Sequence, residues 1–130
     1  MECSPGFFSP DTTSGQYFTR PKLYERDRHL FKKYVPLCKR VAEAGWRPVP
    51  NARTGNPKVH VERFWENYLT VFNDSTESCE VTLTRGGALP KSCRDLVSGR
   101  DVKFIQVDDR LFTTGKIRLE PEDVAVLEFR

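Results

Sequence analysis

The chain has 130 residues, 38% of them hydrophobic and 12% aromatic, enough for a single domain with a real core. Its 30% charged residues are evenly signed, with a net charge of only +3, which excludes an acidic disordered tail and argues against a nucleic-acid binder. No apolar run approaches the ~20 residues of a membrane span, so no membrane partner is expected.

Residues 1–21, MECSPGFFSPDTTSGQYFTRP, form an irregular segment. Pro5, Pro10 and Pro21 with Gly6 and Gly15 break any period. Four aromatics, Phe7, Phe8, Tyr17 and Phe18, predict that it packs on something. It lacks a long apolar stretch of the secretory type, so the compartment is left unassigned.

A helix is expected over 22–46. Leu30, Tyr34, Leu37, Cys38 and Val41 recur at three and four residues, with Phe31, Val35 and Ala42 widening the stripe. Pro36 cannot donate to the carbonyl of Lys32, so a kink or two abutting helices are expected. Gly45 is placed to close the helix in the left-handed conformation. Trp46 should then fold back as an apolar closure. Between Arg20 and Arg47 there are nine basic residues against Glu25, Asp27 and Glu43. Such a basic stretch is either a solvated helix face or a surface that steers anions.

From residue 47 to 130 the pattern is of short strands: 59–65, 68–73, 79–84, 93–97, 101–107, 116–120 and 123–129, separated by turn-rich clusters such as NDSTES, RGGALPKS and DDRLFTTG. The fold class is therefore mainly β: an antiparallel β-sandwich of six or seven short strands with one kinked N-terminal helix packed against it, a single structural unit overall. Val81 and Leu83 should face inward. In YLTVFN, Tyr68 and Phe72 oppose Leu69 and Val71, so that strand needs cover on both sides, with the helix as second cover.

Four spread cysteines, Cys3, Cys38, Cys79 and Cys93, contain no C-x-x-C, and only His29 and His60 accompany them, so neither metal nor cofactor is expected. Cys79 and Cys93 either pair across neighbouring strands or stay reduced. Asp108-Asp109 reads as a turn.

The helix ending Ala44-Gly45-Trp46, the stretch YLTVFNDS at 68–75, DLVSGR at 95–100 and the strand L-E-P-E-D-V-A-V-L at 119–127 together resemble the C-terminal region of a (β/α)-barrel glycoside hydrolase. There an accessory β-sandwich follows the last barrel helix. Trp65 stands where a small turn residue is the norm. The resemblance implies a non-catalytic, carbohydrate-related accessory module, which stabilises a catalytic barrel or weakly binds polysaccharide. It carries over no catalytic residue, because a barrel enzyme's carboxylates sit on barrel strands that this sequence does not contain.

On the residues themselves, a flat sugar-binding platform is the leading site: Trp65 and Tyr68, with Glu66 and Asn67 between them to bond hydroxyls. The other reading of these aromatics is core. Weak catalytic candidates are His60 and Glu62, two apart and on one strand face, with Glu66 nearby, which would make a small stand-alone polysaccharide-degrading enzyme. A third expectation is a protein-interaction module that docks on a barrel, or self-associates, through its helix face.

Overall fold

The computed structural model describes residues 21–130. The expectation that the aromatics of residues 7–18 pack on something lies outside those residues. Among the described residues there is one helix, α1 (Pro21–Ala44), and eleven strands. The strands are β1 (Trp46–Arg47), β2 (Ala52–Arg53), β3 (Val59–Phe64), β4 (Tyr68–Asn73), β5 (Cys79–Val81), β6 (Thr84–Gly86), β7 (Cys93–Asp95), β8 (Phe104–Asp108), β9 (Leu111–Thr114), β10 (Ile117–Leu119) and β11 (Val124–Phe129). The mainly β class and the antiparallel pairing are as the sequence led us to expect; among the described residues no sheet closes into a barrel. Chain contacts divide at Pro36/Leu37, inside α1, and every strand lies in the unit Leu37–Arg130.

Of the two alternatives expected at Pro36, two abutting helices are not what forms: α1 runs through Pro36 as one element. Gly45 ends it as expected: its φ of +93° is a value glycine adopts without a Cβ penalty, and its N–H bonds to the Val41 carbonyl at 3.2 Å.

The strands form a five-stranded sheet in the order β1-β3-β4-β11-β7, a four-stranded sheet in the order β2-β6-β9-β8, and the pair β10-β5. The core gathers inward-facing residues from all three: Leu69, Val71, Leu127 and Phe129, then Leu83 and Phe112, then Val81, Ile117 and Leu119. Val81 and Leu83 are both buried, as their alternation required.

The stretch 79–84 is not one strand. β5 pairs with β10 in one sheet, and two residues later the chain pairs with β9 in another as β6, so the polypeptide turns a corner at Thr82-Leu83. The cluster DDRLFTTG holds a strand that the turn reading concealed. β9 alternates half-buried Leu111 and Thr113 with buried Phe112 and Thr114, a pattern suited to a pleated surface.

Asn73 closes β4 in full burial. Its Nδ2 donates to the carbonyls of Glu77 at 2.8 Å and Glu120 at 3.0 Å, and its Oδ1 accepts from the Ser75 hydroxyl at 2.8 Å. One side chain thereby ties the loop after β4 to the turn before β11. Cys38, Cys79 and Cys93 are free thiols, which decides between the two readings of the cysteines. Burial pushes the Cys93 thiol up to about 12.

Candidate functional site

The site is built on the outer face of the five-stranded sheet and on the hairpin between β3 and β4. Strand register sets one row across that face. Trp46 on β1 lies opposite Phe64 on β3, Phe64 opposite Tyr68 on β4, Tyr68 opposite Glu128 on β11, and Glu128 opposite Arg94 on β7. Because strand side chains alternate, all five point away from the core. The row begins with three aromatics and ends in charge.

At the edge of the row Trp46 is 57% exposed, which corrects the expectation of an apolar closure under the helix. It became an edge-strand residue because β1 pairs with β3 immediately after the Gly45 cap. Its indole Nε1 donates to Glu62 Oε2 at 2.6 Å, so a carboxylate two positions along β3 fixes the ring.

Trp65 occupies the first position of the three-residue loop Trp65-Glu66-Asn67. Its φ is +51°, a left-handed conformation usually given to glycine or asparagine. Its backbone N–H bonds to the Gly45 carbonyl at 2.7 Å, and the Arg47 guanidinium lies over the ring at 4.3 Å from the centroid. The residue is nonetheless 49% exposed. The core reading of Trp65 does not describe this position.

Tyr68 stands further along the row, half-buried and engaged. Arg40 Nε, from the last turns of α1, donates to its hydroxyl at 3.0 Å, and that hydroxyl donates to Glu128 Oε2 at 3.0 Å. Arg40 Nη2 reaches the same Glu128 oxygen at 2.5 Å, while Arg130 Nε donates to Oε1 at 2.8 Å. Burial alone would push the Glu128 carboxyl up. The hydrogen bonds from Tyr68 and Arg130, with the charges of Arg40 and Arg130, outweigh it and hold the carboxyl below the usual carboxylate range. Tyr68 is thus a link between helix and sheet, whereas Phe72 on the same face of β4 is exposed, so the expected second cover does not extend along the strand.

The remaining candidates take separate partners. His60 Nε2 is 3.1 Å from Asp74 Oδ2, not paired with Glu62, and both members of that pair are exposed. Glu66 Oε2 lies 3.9 Å from Arg63 Nη1. Asn67 is exposed at the end of the loop, where its carbonyl accepts from the Phe129 N–H at 2.8 Å. Glu66 and Asn67 help line a cleft of about 260 Å³ beside the loop. Among the described residues no three His, Cys, Asp or Glu side chains gather as a metal cluster, and no helix is long and apolar enough to cross a membrane.

Sequence reasoning missed Trp46 and Arg85. The signal for Trp46 was present in the exposed-edge logic of a strand that directly follows a helix cap. Arg85 sits in RGGALP, a cluster read as a turn, although its first residues continue the alternation of β6. No protein-family model and no curated protein matches the chain.

Proposed function

We propose that the chain is a carbohydrate-related accessory module, resembling the sandwich that follows the barrel in glycoside hydrolases, and that it holds polysaccharide on Trp46 and Trp65. The observation that carries this reading is the conformation of Trp65. A bulky residue in the left-handed region costs on the order of 1–3 kcal/mol, and this one keeps half of its surface in solvent instead of burying it all. Strain of that kind, kept at an exposed aromatic, is a mark of a contact surface. Trp46, pinned by Glu62, supplies a second exposed indole on the neighbouring strand edge.

Chemically the pair suits sugar. The C–H faces of a pyranose stack on indole rings, while Glu62, Glu66 and Asn67 offer acceptors and donors to hydroxyls. Tyr68 supports the platform from behind, because its hydroxyl is already committed to Arg40 and Glu128.

Affinity electrophoresis and calorimetry with β-glucan, xylan, mannan and starch test the proposal. Retardation by at least one glycan, lost in Trp65→Ala with the fold intact, is the expected result. A chain that ignores all four, or a Trp65→Ala variant that binds normally, overturns it.

A second reading rests on α1. Leu30 and Val35 lie exposed on it, apolar side chains open to a protein neighbour, a catalytic barrel or a second copy among the choices. A sedimentation coefficient that rises with concentration and ignores sugar favours that reading.

A further inference from the structure

Arg85 is only 7% exposed and points inward from β6, on the same face as Phe112. Its guanidinium crosses between the sheets. There it donates through Nη2 to the backbone carbonyl of Glu66, with its Cζ 4.5 Å from the centroid of the Phe129 ring. No carboxylate pairs with it among the described residues. Burial disfavours its charge most, the attraction of Glu66 offsets part of that, and Arg63, a second inward guanidinium, opposes it further; Arg63 Nε is buried with no hydrogen-bond partner among the described residues. The nearest counter-charge, Glu66, is largely exposed and sits 3.9 Å from Arg63. This end of the sandwich therefore holds two desolvated cations and too little negative charge, an arrangement that is costly until an anion completes it.

The cleft beside the β3–β4 loop opens onto Arg85. Asn51, Asn67 and Arg130 supply its polar walls, and Leu89, Pro90 and Phe129 its apolar ones. Guanidinium groups recognise carboxylates through parallel N–H bonds in one plane. Glu66 also lines the cleft, and its charge opposes a dianion more than a monoanion, which disfavours phosphate. The apolar wall suits the C–H face of a sugar ring. We infer that this cleft binds the carboxylate of a uronic-acid residue, with Arg85 as the anchoring cation. The inference rests on the glycan-binding reading and narrows it to acidic polysaccharide.

The test is an NMR titration of the full chain with trigalacturonic acid, its methyl ester and a neutral glucan trisaccharide. Changing the ligand leaves the protein untouched, so the comparison holds even if an Arg85 variant fails to fold. The acid should move the amides of Asn67, Gly86 and Gly87 and bind at least about tenfold more tightly than the ester, with Arg85→Lys removing most of that preference. Equal affinity for acid and ester, or shifts confined to Trp46 and Trp65, overturns the uronate site while the platform reading stands. Acetate binding in the cleft as tightly as the acid trisaccharide overturns the sugar as its occupant. Failure of all three saccharides to bind overturns the uronate site, while the platform reading stands or falls on the four-glycan screen.

Discussion

The Tyr68 hydroxyl stands 3.0 Å from Glu128 Oε2 and accepts, at the same distance, a hydrogen bond from Arg40 of α1. Glu128 is 5% exposed, yet its two oxygens collect donors from a helix, a neighbouring strand and Arg130 two residues on. A buried carboxylate satisfied this fully is held by its partners, and its partners are held by it.

Neutralising that carboxylate should destabilise the fold. Glu128→Gln keeps the shape and loses two charge-assisted bonds, at a cost of about 2 kcal/mol near neutral pH. The pH dependence has a definite sign. The folded-state pKa of Glu128 lies below that of the unfolded chain, about 4.3 for a free glutamate, so its contribution is present above that value and lost as pH falls through the folded one. Urea midpoints measured from pH 7 downward should therefore converge for the parent and Glu128→Gln in acid. Parallel curves would rule the carboxylate out as the source.

Trp65 trades stability for exposure. Trp65→Gly removes the left-handed strain along with the ring stacked by Arg47 and its buried half, and these effects oppose each other. The variant should stay within about 1 kcal/mol of the parent while losing glycan retardation. Thermal melts beside affinity gels measure both halves. A substantially lower melting temperature would return Trp65 to a structural role.

Asn73 has no such freedom. Its amide donates to two loop carbonyls and its oxygen accepts from Ser75, all in full burial. Asn73→Leu strands those groups without partners and should cost about 2–3 kcal/mol, read as a shifted denaturant midpoint. The loop Asp74–Ser78 should lose amide-exchange protection in the same variant.

The thiols should separate by access. Cys93 is buried, and its pKa of about 12 keeps it protonated at pH 8, whereas Cys38 is exposed on α1. Iodoacetamide followed by peptide mapping should find the Cys38 peptide alkylated in native protein and the Cys93 peptide only after denaturation. Early labelling of Cys93 would show that β7 opens readily.

The parts of this fold that a reader of the sequence recovers are those set by local periodicity. Val81 and Leu83, the β11 alternation and the Gly45 cap each obey a rule that spans a few residues. What was hidden depends on partners far away. β9 looked like a turn because Asp108, Asp109 and Gly115 flank it, and only pairing with β6 and β8 makes LFTT a strand. Trp46 looked like a cap closure because its pairing with β3 cannot be seen from the helix. For the site, the hairpin 64–68 was legible as an aromatic cluster. Which of its rings meets solvent was decided by the left-handed turn at Trp65 and by Arg40 reaching over Tyr68.

Sheet order carries a temporal consequence. β11 follows the ten other described strands, yet it lies between β4 and β7 in the five-stranded sheet. Until it is synthesised, β4 offers a bare edge rich in Leu69 and Val71, and β7 lacks the strand that joins it to the sheet. A nascent chain must keep that open seam from capturing the wrong strand until β11 arrives to act as the zip that seals it.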